Sequence, residues 1–197
     1  MFALESLQRP LLLDGGLGRE LRFRGIETPP TIWSAHSLLV APDVVRQIHL
    51  DYILAGADII TTNTYGIIRR DLAKIGIKNH FAELNSLACK LAVEARSGVE
   101  RPVLMAGSLP PLRGSYRPDL VAALDDIEPL YLEQAELLTP HVDPLLCETM
   151  SSAAEGRAAI VLLLSFRRYL CIYSENSLCR GGSRTAPTEH FRPWWCP

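Results

Sequence analysis

The sequence predicts an α/β fold in which parallel strands alternate with helices, and three observations support that class. Four short apolar runs recur along the chain, and a segment with helical spacing of its apolar residues follows each of them. Polar or small residues stand at the carboxyl end of every run. Repeated strand–helix units give parallel strands joined by right-handed crossovers. The series forms either an open doubly wound sheet or part of a (β/α)8 barrel, and both architectures bind ligands at the carboxyl edge.

The first two strand–helix units comprise, in order, residues 11–14, 42–56, 58–62 and 80–96. The strand segments LLLD and DIITT are short and apolar or β-branched, as is typical of buried strands. In the first helical segment, Val45, Ile48 and Tyr52 share one face. Pro42 suits the first turn of that helix and Gly56 its C-terminal end.

The last two units comprise a strand at 102–107, a helix from about residue 128 to 138, a strand at 144–148 and a final helix. Pro129 fits the first turn of the third helix. Ser152 and Glu155 form an S-x-x-E capping box, which predicts the start of the fourth helix.

The strand–helix pattern stops at residue 165. The segment 165–197 shows no helical or strand period and holds three of the five cysteines. Its net charge is +3, whereas residues 1–164 carry −5. We therefore predict a domain at 1–164 followed by an unrelated, disordered tail at 165–197, produced by a shifted reading frame or an alternative exon.

Composition excludes several classes of protein. A net charge of −2 gives no basis for binding nucleic acid or an acidic membrane. The longest apolar run, residues 158–164, is shorter than the about 20 residues that a membrane span needs. No signal peptide is evident at the N-terminus, and the five cysteines show no C-x-x-C pairing. We expect a cytoplasmic protein in a reducing compartment.

The stretch LLLDGG, residues 11–16, places an acid directly after an apolar strand. A carboxylate at that position is costly unless it faces solvent or a ligand. Gly15 and Gly16 allow a tight turn and close approach of a ligand to the backbone. The glycines have neither dinucleotide-fingerprint nor P-loop spacing. Pattern alone leaves two alternatives open for Asp14, a ligand site and a plain turn.

Glu148 repeats this arrangement at the end of the fourth strand. Side chains alternate between the faces of a strand, so Cys147 points toward the helices if Glu148 points into the mouth of the fold. Asp14 and Glu148 then converge on a cationic group such as an amine. The alternative is that each acid caps the helix that follows it.

No catalytic or metal-ligating set is evident among the other polar residues. Four histidines lack acidic or nucleophilic neighbours at useful spacing, and we expect them to be structural or exposed: His36, His49, His80 and His141. Cys89 lies on a helix and is expected in the core. The cysteines of the tail are too irregularly spaced to predict a zinc site.

Five segments together resemble the homocysteine S-methyltransferase family. They are LLLDGGLGRELRFRG (11–25), TIWSA (31–35), IHLDYILAGADIITTNTY (48–65), VLMAGSLPP (103–111) and PLLCETMSSAAEG (144–156). Among members, those that use S-methylmethionine as donor are the most similar in WSA, HLDY and CET. The resemblance implies a (β/α)8 TIM barrel that transfers a methyl group to the thiol of homocysteine.

The resemblance also assigns roles at the predicted mouth. It implies that Asp14 and Glu148 hold the amino group of homocysteine and that the amides of Gly15 and Gly16 reach the amino acid. We therefore expect the two acids to face one cavity at the carboxyl ends of adjacent barrel strands. The residues Thr62, Asn63 and Thr64, in the family's motif after the second strand, would line the same mouth. Trp33 would form an apolar or cation–π wall beside a positively charged methyl donor.

The chain also departs from the family pattern. A (β/α)8 barrel typically needs about 250 residues, and this sequence supplies four of the eight strands. Family catalysis uses zinc held by three thiolates, one after strand six and two in a GGCC motif at strand eight, which this sequence lacks. We therefore expect a truncated, inactive form with exposed barrel edges that favour self-association. The alternatives are a non-catalytic module that binds an amino acid or a paralogue, and a half-barrel enzyme that needs no metal.

Overall fold

The computed structural model describes residues 10–163 and 169–171. The strands in these ranges are β1 (Ile59–Thr61), β2 (Leu104–Leu109), β3 (Leu145–Cys147) and β4 (Tyr169–Cys171). The helices are α1 (Leu17–Phe23), α2 (His36–Val40), α3 (Pro42–Leu54), α4 (Arg69–Lys74), α5 (Phe81–Ser97), α6 (Leu124–Leu138) and α7 (Ala153–Leu163). Short 3₁₀ turns lie at Trp33–Ala35, Lys78–His80 and Pro118–Leu120.

The strands form one parallel sheet in the order β1-β2-β3-β4, which confirms the predicted α/β class. The register is staggered along β2. Its residues 104–106 pair with β1, while its residues 107–109 pair with β3. A stagger between neighbouring strands is what a barrel requires, because barrel strands tilt against the axis.

The prediction of a full strand at LLLD, residues 11–14, is wrong. Residues 11–14 lie parallel beside β1, but only a single bridge joins Leu13 to Ile59. The Asp58 carboxylate accepts the Leu12 amide at 2.9 Å, so a side chain replaces a ladder partner at this edge. The Asp14 amide still donates to the Ile59 carbonyl at 2.9 Å. The segment therefore occupies the expected place next to β1 without a regular ladder.

The expectation that no strand follows residue 165 is wrong at Tyr169–Cys171. This strand, β4, pairs in parallel with β3, and Leu170 lies opposite Leu146. The run YLC is too short for its period to be detected, and the partner strand supplies the order. The rest of the predicted disordered tail lies outside the described residues, and the domain boundary at 164 stays a prediction.

The predicted helix ends are confirmed at α3, where Pro42 begins the helix and Gly56, at φ +106°, follows its end. Helix α6 begins at Leu124, so Pro129 lies inside it and not in its first turn as we expected. Five acidic or apolar residues, 124–128, precede Pro129 within the helix, and the sequence offered no cap to mark that start. No helix in the described ranges is long and apolar enough to cross a membrane.

Only half of the predicted capping box at Ser152 forms. The Ser152 hydroxyl accepts the Glu155 amide at 3.1 Å, as expected. The Glu155 carboxylate does not return to Ser152 but accepts the amides of Leu112 at 3.1 Å and Ser151 at 3.0 Å. Glu155 is buried, and its two hydrogen bonds connect the loop after β2 to the loop after β3.

The sheet has two apolar faces with different partners. Ile60, Met105 and Cys147 pack in the core between the sheet and the helices, and Cys89 is buried there too. On the opposite, inner face, Ile59, Ala106 and Leu146 form a separate cluster. The two-residue period of the strands then brings Ser108 and Glu148 to this inner face, beyond Ala106 and Leu146. The polar inner residues therefore collect at the carboxyl edge.

Candidate functional site

A cavity of about 370 Å³ opens at the carboxyl edge of the strands. Its walls come from the segment after Leu13, the start of α1, the 3₁₀ turn at Trp33 and the ends of β1 and β3. The predicted site residues that line it are Asp14, Gly15, Gly16, Trp33, Thr62, Asn63 and Glu148.

Asp14 is held by a single residue of the neighbouring strand. Its Oδ2 accepts the backbone amide of Thr61 at 2.8 Å, and its Oδ1 accepts the Thr61 hydroxyl at 2.9 Å. Each carboxylate oxygen of Asp14 thus accepts one hydrogen bond from Thr61, and its remaining lone pair can accept another from a ligand. This two-point attachment orients Asp14 at the cavity wall.

Glu148 reaches the cavity from β3, and its Oε1 accepts the hydroxyl of Ser108. We expected the two acids on adjacent strands, and this is wrong. Leu13 pairs with β1, so β1 and β2 lie between the Asp14 segment and β3. Both acids still line one cavity, because the carboxyl ends of parallel strands meet at the same edge of the sheet.

Both carboxyl groups have raised pKa values. Burial raises the pKa of Asp14 to about 6, against the two hydrogen bonds from Thr61, and the charge of Glu148 raises it further. Burial also raises the pKa of Glu148, and the hydrogen bond from Ser108 opposes that rise. Two desolvated carboxyl groups that repel each other are stabilised in the ionised form by a bound cation. The acids therefore favour a positively charged ligand group.

The two glycines after Asp14 have different surroundings. A Cβ at Gly15 would lie 2.7 Å from the Tyr52 Oη and 2.9 Å from its Cε1, so Gly15 is required for packing against that ring. Among the described residues, a Cβ at Gly16 would meet only the Arg19 Cβ, at 3.9 Å. In the described part of the chain, no protein carbonyl accepts the amide of either glycine. A ligand can thus approach the backbone of Gly16 closely.

The threonines after β1 make contacts with the protein itself. Thr64 is fully buried and lies outside the cavity wall, where its hydroxyl donates to the Ser108 carbonyl at 2.7 Å. Thr62 lines the cavity, but its hydroxyl contacts the Thr64 hydroxyl at 2.9 Å. The structure therefore brings Thr62 to the cavity and leaves Thr64 behind it.

Asn63 fastens the cavity wall to the segment that carries Trp33. Its Nδ2 donates to the Ser34 carbonyl at 3.0 Å and to the Ser37 hydroxyl at 3.2 Å. The carbonyl of Ser34 can only accept, which sets the orientation of the amide. Within the described residues, Asn63 Oδ1 is buried and has no hydrogen-bond partner. It is an unsatisfied acceptor on a residue of the cavity wall.

Two residues of the cavity wall have left-handed backbones. Trp33 has φ +48° and Thr149 has φ +57°, although neither is glycine. Such conformations cost about 1–3 kcal/mol each and are concentrated at functional sites. The Trp33 side chain is 54% exposed, so its ring is accessible at the cavity mouth.

The sequence interpretation did not identify every residue of the cavity wall, and Arg19, Arg22 and Tyr65 are among those it missed. Arg19 and Arg22 line it from α1, where the guanidinium of Arg19 lies 5.4 Å from the centre of the Phe23 ring. Tyr65 also lines it, and its hydroxyl hydrogen bonds to that of Ser115. The i, i+3 spacing of the arginines was the available signal, but helix α1 has only seven residues and was not predicted.

Neither Cys89 nor Cys147 is among the residues that line the cavity. Cys89 and Cys147 are buried, as expected, and burial raises the pKa of the Cys89 thiol to about 12. Among the described residues, no group of three or more His, Cys, Asp or Glu side chains could hold a metal ion. The side chains described by the structure therefore do not fit the thiolate zinc site expected from the family.

Comparison with known proteins identifies the chain's relatives. Residues 11–185 match the family model described as homocysteine S-methyltransferase. A homocysteine S-methyltransferase of Escherichia coli (strain K12) is 32% identical over 180 residues, which cover 84% of this chain and 58% of the relative. A selenocysteine methyltransferase of Astragalus bisulcatus is 33% identical over 133 residues, covering 57% of this chain and 38% of the relative.

Solved structures agree with these sequence relationships. The oxidized form of the homocysteine methyltransferase MmuM from Escherichia coli superposes with a TM-score of 0.77 at 30% identity, covering 87% of this chain and 64% of that one. The chain thus spans less than two thirds of the length of these relatives. With the family model matching most of its length, the chain belongs to the homocysteine S-methyltransferase family.

Proposed function

We propose that this chain binds homocysteine, with the ammonium group of the amino acid held between Asp14 and Glu148. The observation that carries the proposal is the convergence of two carboxylates, one from the segment beside β1 and one from the end of β3, on one cavity of about 370 Å³. Burial and mutual repulsion raise the pKa of Asp14 to about 6, so a bound ammonium relieves an unfavourable charge. The names of the relatives support an amino-acid thiol or selenol as the ligand.

The opposite charge of the ligand has partners on the same cavity. Arg19 and Arg22 offer guanidinium groups to the carboxylate of homocysteine, and Gly16 leaves its backbone open to approach. An amino acid bound in this way is fixed at its charged end. Its thiol then extends toward the rest of the cavity wall.

The reaction of the family is methyl transfer to that thiol, with S-methylmethionine as the donor we propose. The exposed ring of Trp33 would contact the positively charged sulfonium of such a donor. Zinc, where bound, favours the thiolate form of homocysteine. Because Cys89 and Cys147 are buried in the core, we propose that this chain alone binds the amino acid but does not transfer the methyl group.

Calorimetric titration with L-homocysteine under reducing conditions tests the binding proposal. We expect binding to wild type and at least tenfold weaker binding, about 1.4 kcal/mol, to Asp14→Asn and Glu148→Gln. The control Asp119→Asn removes an exposed carboxylate that pairs with Arg117. The ligand control is 4-mercaptobutanoate, which lacks the amino group. Equal affinity for both ligands would refute the role of the two acids.

A second experiment tests the absence of methyl transfer. Purified chain is incubated with S-methylmethionine and homocysteine, and its zinc content is measured in parallel. We expect neither methionine nor stoichiometric zinc. Methionine formation that stops on addition of a chelator would show that the cysteines outside the described side chains assemble a working site.

A second candidate function is association through the edge of the sheet. Leu12 and Asp14 direct their backbone groups toward β1, so those of Leu11 and Leu13 point the other way. In the described part of the chain no strand pairs with that side, and Leu12 is 57% exposed. An unpaired parallel edge favours pairing with another chain. Self-association or binding of a paralogue at this edge is the corresponding proposal.

We also propose that the sheet is part of a (β/α)8 barrel and that the protein is cytoplasmic. The staggered register of β2 and the likeness to MmuM support the barrel. Cys89, which forms no disulfide with any described residue, is typical of a reducing compartment and supports the location. Imaging of the tagged full chain in cells would test the latter.

A further inference from the structure

Ser108 occupies a position to which neither its sequence pattern nor the family resemblance assigned a role. It lies in β2, is fully buried, and belongs to the inner face of the sheet together with Ala106. Glu148 follows Leu146 on the same face of the neighbouring strand. The Ser108 hydroxyl donates to Glu148 Oε1, so it is the direct support of one of the two cavity acids.

The hydrogen bonds around Ser108 have only one consistent set of directions. The Thr64 hydroxyl donates its proton to the Ser108 carbonyl at 2.7 Å, because a carbonyl can only accept. The Thr62 hydroxyl must therefore be the donor in its 2.9 Å contact with Thr64. Thr62 in turn accepts the Ser108 amide at 3.1 Å. These contacts form a ring of hydrogen bonds, in which the hydroxyl protons of Thr62 and Thr64 are both donated to other members of the ring.

The ring fixes the backbone of Ser108 on both sides of its Cα. Its amide and its carbonyl are each bound to a buried threonine from the segment after β1. The remaining donor of Ser108, the hydroxyl, is directed at Glu148. The hydroxyl groups of Thr62, Thr64 and Ser108, all buried, thereby connect the segment after β1 to Glu148 at the end of β3. Within the described residues, Glu148 Oε2 receives no hydrogen bond from the protein.

We propose that Ser108 is a positioning residue that holds Glu148 Oε1 and leaves Oε2 directed to the ammonium group of the ligand, with Thr62 and Thr64 as its scaffold. The part of this inference that concerns the ligand rests on the proposed binding of homocysteine. The two threonines then act through Ser108 instead of donating to the substrate. Ser108 orients Glu148 by donating a hydrogen bond to its carboxylate, just as Thr61 orients Asp14.

The chemistry of a buried carboxylate explains why such a donor matters. Burial raises the pKa of Glu148, and the Ser108 hydrogen bond is the interaction that lowers it. A donor to the ionised form stabilises the charge that an ammonium needs. Without the hydroxyl, Glu148 would hold its proton to higher pH and would also lose its fixed rotamer.

The first test needs no ligand. The side-chain carboxyl of Glu148 is followed by carbon-13 NMR as the pH is raised, with Glu148→Gln to assign the signal. We expect Ser108→Ala to move its titration upward by about one pH unit. Ser37→Ala is the matched control, because Ser37 is also a fully buried serine but donates to the Ser34 carbonyl. An unchanged titration in Ser108→Ala would overturn the inference.

The second test measures calorimetric affinity for L-homocysteine from about pH 5 to about pH 8. We expect Ser108→Ala to bind about tenfold more weakly near neutral pH, with its loss of binding at low pH beginning about one unit higher. Ser108→Thr, which keeps the hydroxyl, should restore both. In a Glu148→Gln background, Ser108→Ala should add no further loss, and an independent loss there would contradict a role through Glu148.

The outcomes separate the two proposals. If wild type does not bind homocysteine, the proposed function fails, while the carboxyl titration still decides the role of Ser108. If wild type binds and Ser108→Ala binds equally well, the inference fails and the proposed function stands. Should Ser108→Ala not fold, Ser108→Cys replaces the hydroxyl with a weaker donor of similar shape. It is expected to give a smaller upward shift in the same titration, and no shift refutes the inference.

Discussion

Replacement of His49 by leucine should remove a large pH-dependent contribution to the free energy of unfolding of this protein. His49 lies on α3 and is fully buried, and within the described residues both of its ring nitrogens lack a hydrogen-bond partner. Burial lowers its pKa from 6.5 to about 4. The folded protein therefore keeps the imidazole neutral, while the unfolded chain takes up a proton below pH 6.5.

The magnitude follows from this difference in proton binding. A histidine whose folded pKa is depressed leaves stability intact above the unfolded value, and stability is lost as the pH falls through the interval from 6.5 to about 4. By linkage the loss is about 1.4 kcal/mol at pH 5.5 and about 3 kcal/mol at pH 4. Asp14 acts with the opposite sign. Its folded pKa of about 6 exceeds the value of 3.8 in the unfolded chain, so stability rises as the pH falls between these values.

Urea unfolding of wild type and His49→Leu at several pH values, followed by circular dichroism, measures the term. Comparison at each pH cancels the contribution of Asp14, which both proteins share. We expect the advantage of His49→Leu to grow by about 1.4 kcal/mol between pH 7.5 and pH 5.5. His141→Leu is the control, because His141 is exposed. A difference between wild type and His49→Leu that stays constant with pH would refute the reasoning.

Three further outcomes are expected. Asp14→Asn should raise the urea midpoint at pH 7.5, where the ionised carboxylate with its raised pKa is unfavourable, and this gain should shrink progressively as the pH falls from about 6 to 3.8; a lower midpoint at pH 7.5 would contradict it. Gly66→Ala should cost about 1–3 kcal/mol of unfolding free energy, because its Cβ would lie 2.2 Å from the Ile32 carbonyl oxygen, whereas Gly16→Ala has open space and should be near wild type. Light scattering after gel filtration should show dimers or larger species, and Leu12→Lys, on the exposed edge, should shift them toward the monomer; a monodisperse wild-type monomer would exclude edge association.

The sequence by itself determined the order of elements and the acids at the strand ends. Short apolar runs alternating with amphipathic segments identify parallel strands, because the two-residue and 3.6-residue periods are local properties of the chain. Asp14 and Glu148 were predictable for the same reason, as each ends an apolar run. Pro42 and Gly56 marked the ends of α3 because their backbone restrictions act locally.

Only the tertiary structure decided what those acids contact and which neighbours separate them. Ser108 and Glu148 are 40 positions apart, and Asp14 and Thr61 are 47 apart, so no local period links them. The sheet order places two strands between the acids, contrary to our expectation of adjacent strands. Strand β4 likewise depends on β3, since three residues form a strand only when a partner supplies their hydrogen bonds. Local pattern specifies which residues reach the carboxyl edge, and packing of distant segments specifies how each is held there.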